Sequence, residues 1–213
     1  MIGDVDYNAA TILNHLADVT AAHIRRHLQT TNHKVLAETM AENLDRVCYQ
    51  TPKLEHHCPR IVRGLRHAQT VFALPVAQGH KNLTQSALAA FAHVNWSEYY
   101  AENDWTRPFL ADFASGEGIG PNGVLLCDDL ILGLFILGPN TLYPSHAHPA
   151  EEFYIVLSGE AKFQAGVDGP YTQRSSGDLI IHRENEAHAI WTNDKPLFAV
   201  YGWIGAISEP SWH

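Results

Sequence analysis

Apolar positions along this chain change their period near its middle. In the first half they recur at three and four. Ile12, Leu13, Leu16, Val19 and Ile24 fall on one stripe of a helix that Asp4 or Asp6 would cap. Leu36, Met40, Leu44 and Val47 repeat the spacing in a second helix opened by Thr31 or Asn32. Tyr49-Gln50-Thr51-Pro52 ends it, because a proline disfavours helix at the residue before it. A third helix is expected from about Pro59 to Phe72 and a fourth from about Thr84 to Val94, with Pro75 and Gly79 between them. Residues 4–115 as a whole read as helical. Their last stretch is rich in aromatic side chains: Trp96, Tyr99, Tyr100, Trp105, Phe109 and Phe113. Most of these are expected to pack the helices onto the second half, and Trp96, Tyr99 or Trp105 could close over a pocket mouth. Gly116, Gly118, Gly120, Pro121 and Gly123 then predict a turn-rich junction.

From Val124 onward the runs are short and continuous or alternating: Val124–Cys127, Leu130–Leu137, Phe153–Leu157, Ala161–Gln164, Leu179–His182, His188–Trp191 and Leu197–Trp203. Turn residues separate them, among them Gly138-Pro139-Asn140, Ser158-Gly159 and Ser176-Gly177-Asp178. Several short strands at this spacing predict an all-β sandwich or barrel. The expected organisation is an α-helical N-terminal region over residues 1–120 that packs on a β barrel over residues 121–213.

Composition narrows the function. Of 213 residues, 14 are Lys or Arg against 23 Asp or Glu, a formal net charge of -9. That balance argues against a nucleic-acid partner, whose phosphates need clustered basic side chains. It leaves room for a small-molecule substrate. No apolar run approaches the ~18–20 residues of a membrane span. Cys48, Cys58 and Cys127 are odd in number and lack CxxC spacing, which fits reduced thiols in a cytoplasmic protein. The 14 histidines exceed what an ordinary surface uses, and His15, His23, His27, His56, His57 and His80 belong to no readable motif.

The chemistry concentrates in Tyr143-Pro-Ser-His146-Ala-His148-Pro-Ala-Glu-Glu152-Phe-Tyr154. Residues two apart on a strand point to one face, so His146 and His148 would aim inward together. Pro149 breaks the strand, and Glu152 and Tyr154 repeat the two-residue spacing on the next. Imidazoles and a carboxylate that converge in this way suit one divalent transition metal ion: iron, zinc, manganese, nickel or cobalt. A further ligand should come from a distant strand. His188, in the alternating stretch that follows Gly177-Asp178, is the first candidate, and His182 is its rival or a supporting group.

These residues resemble the cupin superfamily. HxH, three residues, Glu152, six residues and Gly159 reproduce its first motif. Gly177 and His188 keep the separation of the second, although Arg183 and Asn185 stand where that motif has proline and glycine. The closer resemblance is to the cupin-type dimethylsulfoniopropionate (DMSP) lyases, the DddL and DddQ group. It rests on Tyr143 before the first histidine, Tyr154 after the glutamate, the pair His188-Ala189, and the ending Tyr201-Gly-Trp203-Ile-Gly205. The resemblance implies a mainly β double-stranded β-helix (jelly-roll) barrel behind a helical region. It also implies β-elimination of DMSP to dimethyl sulfide and acrylate. Tyr154 would be the general base, with Tyr143 as rival base, acid or orienting group. The sulfonium would meet the aromatic faces of Trp203, Trp191, Tyr201 or Phe153. Single-domain cupins often pair, which makes a homodimer the expectation. The same ligand set would also serve a dioxygenase or isomerase, or a cupin that only binds a small molecule.

Overall fold

In the computed structural model, which describes residues 7–47 and 62–213, the chain opens with two long helices, α1 (Tyr7–Arg26) and α2 (Lys34–Val47). Their predicted stripes are the buried ones: Leu13, Leu16 and Ile24 of α1 and Met40 and Leu44 of α2 are essentially inaccessible to solvent. The expected caps at Asp4 and Asp6, the stop at Pro52, the helix start at Pro59, and Cys48 and Cys58 lie outside the described residues. A 3-10 segment over Arg63–His67 leads into α3 (Ala68–Ala73), and α4 (Lys81–Ala90) follows a 3-10 turn at Gln78–His80 and runs into another at Phe91–His93. Within the described residues no helix is long and apolar enough to cross a membrane.

Strands begin earlier than the periodicity suggests. β1 (Asn95–Ser97) precedes the short helix α5 (Arg107–Leu110), and β2 (Phe113–Gly120) follows it. The remaining strands are β3 (Leu125–Leu126), β4 (Leu130–Leu137), β5 (Leu142–His146), β6 (Ala150–Ser158), β7 (Glu160–Ala165), β8 (Thr172–Ser175), β9 (Leu179–His182), β10 (His188–Thr192) and β11 (Leu197–Gly205). They form a seven-stranded sheet in the order β1-β2-β4-β11-β6-β9, with β3 on β2, and a four-stranded sheet in the order β5-β10-β7-β8. This is the double-stranded β-helix expected of a cupin, preceded by helices.

Two expectations change here. Residues 95–97 and 113–120 are not helical, and Gly116 and Gly118 belong to β2 rather than to a turn. Their lack of a side chain answers a packing need. A Cβ at Gly116 would lie 2.6 Å from Val94 Cγ2, and one at Gly118 would lie 2.7 Å from Leu13 Cδ2 of α1. These glycines let the helical layer approach the sheet closely. Strand β8, Thr-Gln-Arg-Ser at the edge of the small sheet, carries no apolar pattern and gave no signal.

The large sheet is covered on both sides. Its outer face joins the helices in one core, with Ile119, Leu132, Leu134, Phe153, Ile155 and Val200 packed among the α1 and α2 side chains. Its inner face lines the barrel, where Phe135, Tyr154, Val156 and Ala199 meet Tyr143, Phe163 and Ile190 of the small sheet. β4 is buried along its whole length, which explains the apolar run Leu130–Leu137, interrupted only by Gly133. Burying each such Leu or Ile contributes ~1.5–3 kcal/mol.

Candidate metal centre and substrate pocket

Register builds the site. His146, the last residue of β5, pairs across the small sheet with His188, the first of β10. His148 lies two residues past β5. Between them Ala147 exchanges two 2.9 Å backbone hydrogen bonds with Trp212. Glu152 on β6 shares a cross-strand row with Trp203 of β11 and His182 of β9. The turn before β10 lacks the glycine of the family motif, but Asn185 stands there in a left-handed conformation at φ 59°, which asparagine tolerates best among residues with a side chain. Its amide donates to the His148 carbonyl at 2.8 Å, tying that turn to the ligand loop.

The three histidines share one device. Nδ1 of His146 donates to the Pro144 carbonyl (2.9 Å), that of His148 to the Ala150 carbonyl (2.9 Å), and that of His188 to the Glu186 carbonyl (2.8 Å). A carbonyl only accepts, so each Nδ1 must carry the proton, which leaves each Nε2 lone pair available as a ligand. The ligand nitrogens of these three residues all lie within 4.8 Å of one another, and all three side chains are buried. Nε2 of His188 is buried with no aligned hydrogen-bond partner, although Glu152 Oε2 stands 3.0 Å away. Nε2 of His148 is 3.3 Å from the same oxygen. A buried, unpartnered acceptor beside a buried carboxylate is costly unless a cation satisfies both, so this donor set fits a divalent ion.

The electrostatics agree. Burial alone would raise the Glu152 carboxyl, but the facing imidazoles of His148 and His188 outweigh it and hold the group well below the usual carboxylate range. Burial would lower His148, but Glu152 outweighs it and raises the imidazole. His146, lowered to about 3 by burial and then by His188, stays neutral. Trp203 Nε1 donates to Glu152 Oε1 at 2.6 Å and fixes the carboxylate, while its ring lies 4.1 Å from that of His148. His182 is not one of the converging group. Its ring stacks on His188 at 4.2 Å and 12°, and its Nδ1 is 3.8 Å from Glu186 Oε2.

A pocket opens beside Glu152. Tyr143, Tyr154, Tyr201 and Trp203 line it, and Tyr99 and Tyr100 close it from the segment before β2. Burial pushes the phenols of Tyr143, Tyr154 and Tyr201 well above 10, and for Tyr154 the Glu152 charge adds to it. The Tyr143 hydroxyl shares a 2.5 Å hydrogen bond with that of Tyr100, and its ring lies 4.3 Å from that of His146.

Two of the expected substrate contacts are elsewhere. Phe153 falls between Glu152 and Tyr154, so strand parity turns it outward into the helical core. Trp191 is 43% exposed on the outer face of β10, with Lys162 Nζ 5.0 Å from its ring. Of the three aromatic residues expected at the pocket mouth, only Tyr99 lines it. Trp96 packs on Phe91, and Trp105 on Tyr100 and Phe109. Tyr100 and Glu117 line the pocket without having been assigned there from sequence. A lone carboxylate in the otherwise apolar and glycine-rich stretch 113–120 was the available signal.

Fold and site together define a cupin with a candidate metal centre of three histidines and a glutamate, opening on a tyrosine-lined pocket. The chain belongs to the dimethylsulfoniopropionate (DMSP) lyase family, whose profile matches residues 62–199, more than half of its length. It is 34% identical over 119 residues to dimethylsulfoniopropionate lyase DddQ of Ruegeria pomeroyi, covering 55% of this chain and 58% of that protein. It is 31% identical over 135 residues to the putative dimethylsulfoniopropionate lyase DddL of Cereibacter sphaeroides, covering 60% and 55%. The chain thus spans little more than half the length of these curated relatives. Its fold matches a crystal structure described as DMSP lyases RdDddP and RnDddQII, with a TM-score of 0.69 and 24% identity over 96% of this chain and 98% of that one. It also matches the crystal structure of DMSP lyase DddQ from Ruegeria pomeroyi DSS-3, with a TM-score of 0.64 and 23% identity over 84% and 94%.

Proposed function

We propose that this protein is a metal-dependent carbon–sulfur lyase that cleaves DMSP by β-elimination to dimethyl sulfide and acrylate. The observation that carries the reading is the placement of two buried tyrosines, Tyr143 and Tyr154, in the pocket beside Glu152 and three converging imidazole nitrogens.

His146, His148, His188 and Glu152 would hold the ion. A bound divalent ion would supply positive charge to draw the substrate carboxylate, to stabilise the enolate-like charge and to offset the burial and the Glu152 charge that keep Tyr154 protonated. Tyr154, on the inner face of β6 with Glu152, is the general base that removes the proton from the carbon next to the carboxylate. The electron pair of that C–H bond becomes the C=C bond of acrylate. The C–S bond breaks with its pair on sulfur, and neutral dimethyl sulfide departs. Tyr143, held by Tyr100, orients the substrate. Trp203 fixes Glu152, and together with Tyr201 it presents the ring faces that a sulfonium prefers to water, each worth ~0.5–2 kcal/mol.

Headspace detection of dimethyl sulfide, with acrylate measured in parallel, tests the proposal on protein loaded in turn with iron, manganese, nickel, cobalt and zinc. Equal amounts of both products are expected with at least one metal. No product with any of them overturns the lyase reading, and oxygen uptake with a thiol or diketone would replace it with a dioxygenase.

A further inference from the structure

The pocket contains a second carboxylate that the proposed chemistry leaves unused. Strand parity puts Phe113, Ser115 and Glu117 of β2 on its inner face, and all three line the pocket. Register places Glu117 opposite Gly133 of β4, Gly133 opposite Tyr201 of β11, and Tyr201 opposite Tyr154 of β6. Glu117 therefore sits in the cross-strand row of the proposed base, on the same inner face and at the far end of that row. The separation is three strand spacings, ~14 Å along the sheet, and the side chains reach inward from both ends.

Two glycines make room for it. A Cβ on Gly120 would collide with Glu117 Oε1, and a Cβ on Gly133 would lie 2.5 Å from Tyr201 Cε1, so the Tyr201 ring lies across Gly133 toward the carboxylate. Glu117 Oε1 accepts the Asn122 amide at 2.7 Å, and the Gly123 amide also favours its charged form. Among the described residues no lysine, arginine or histidine pairs with it. Burial raises its pKa, and the Asn122 and Gly123 hydrogen bonds offset that only in part. Its charge falls on the phenols of Tyr99 and Tyr201, and the Tyr99 ring stands 6.2 Å from that of Trp203.

We infer that Glu117, walled by Tyr99, Tyr201 and Trp203, is a subsite for an onium cation, and that it binds the sulfonium end of the substrate while the carboxylate end lies at the histidine centre. The inference rests on the proposed lyase reading for the identity of the cation, but not for the existence of the subsite. The pocket would then carry a dipole that matches a zwitterion, positive at the metal end and negative at Glu117. A dicarboxylate or a neutral thioether acid of the same length would match one end only. Partial desolvation of the onium is balanced by one full charge and three ring faces.

Tetramethylammonium tests the subsite alone, because it has no carboxylate for the metal end and no bond that the enzyme can eliminate. Calorimetric titration into metal-loaded protein should show binding to wild type. Binding should weaken at least ~tenfold in Glu117→Gln and by an intermediate amount in Glu117→Asp, with equal metal content and melting temperature in all three. For DMSP, Glu117→Gln should raise KM by at least ~tenfold and change kcat by less than ~threefold. No binding to wild type overturns the inference, as does equal binding to wild type and a folded Glu117→Gln. If Glu117→Gln fails to fold, undiminished binding to Glu117→Asp overturns it instead. Cleavage of DMSP with unchanged KM in Glu117→Gln refutes the subsite and leaves the lyase standing. Binding of tetramethylammonium through Glu117 without any cleavage of DMSP refutes the lyase and leaves the subsite standing.

Discussion

Among the described residues two clusters of three histidines stand out, and in one of them the ligand nitrogens converge. In the helical layer His23 and His27 of α1 stack at 4.6 Å and 25°, and His80 packs 4.8 Å from His23. His23 donates Nε2–H to the Gly177 carbonyl at 3.0 Å and accepts from Arg26 at Nδ1. Both of its nitrogens are used, and the ring serves to tie α1 to the turn before β9. In the barrel His146, His148 and His188 each use Nδ1 on a backbone carbonyl, and their Nε2 atoms converge. Residue type and proximity are alike in the two clusters. The difference lies in His23, whose two nitrogens are both taken, whereas in the barrel the backbone claims only Nδ1 of each ring, and the β5–β10 register and the turns at either end of the site decide that.

Substitutions that cross the two clusters sharpen this contrast. The largest effect is expected at His148. His148→Ala should lose bound metal and dimethyl sulfide release together, while His27→Ala should lose neither, as read by elemental analysis and headspace chromatography on the same preparations. Next comes Tyr154→Phe, which should keep its metal and lose ~10²–10⁴-fold in kcat, the range of general-base catalysis. Full activity there would transfer the base to Tyr143. Trp203→Phe removes the 2.6 Å hydrogen bond to Glu152 and should weaken metal affinity by ~10–100-fold, measured by competition with a chelator.

The smallest effect belongs to the other cluster and appears in stability. Burial, with His27 and His80 adding to it, lowers His23 from 6.5 to about 3. Below 6.5 the unfolded chain takes up a proton that the folded chain refuses until about 3. This contribution is therefore complete above pH 6.5 and is lost as pH falls toward 3, roughly 2 kcal/mol of it between pH 7 and pH 5. Urea unfolding at those two pH values should show a smaller loss in His23→Gln than in wild type. An equal loss would mean that other groups carry the acid sensitivity.

Much of this was legible because periodicity and parity act locally. The stripes of α1 and α2, the runs of β4 and β9, and the inward pairing of His146 with His148 and Glu152 with Tyr154 follow from spacing alone. Phe153 was expected at the substrate on its aromatic character, and the parity that turns it into the helical core was the signal passed over. What the chain did not disclose depends on contacts between distant segments. Gly116 and Gly118 read as turn residues until α1 and Val94 are seen packed against them. Tyr100 reads as packing until Tyr99, at φ 53°, turns the segment toward Tyr143. Glu117 acquires meaning only from the row that sets it opposite Gly133 and Tyr201. Asn185 looks like a lost motif glycine, yet it holds a left-handed conformation that glycine favours.

His188 comes from the least regular stretch of the family motif and completes the converging triad. Metal stoichiometry in His188→Ala, compared with wild type by elemental analysis after identical loading and desalting, tests the central claim most directly. The account predicts one ion per chain in wild type and almost none in a folded variant. Equal occupancy in the two would contradict it and place the ion elsewhere.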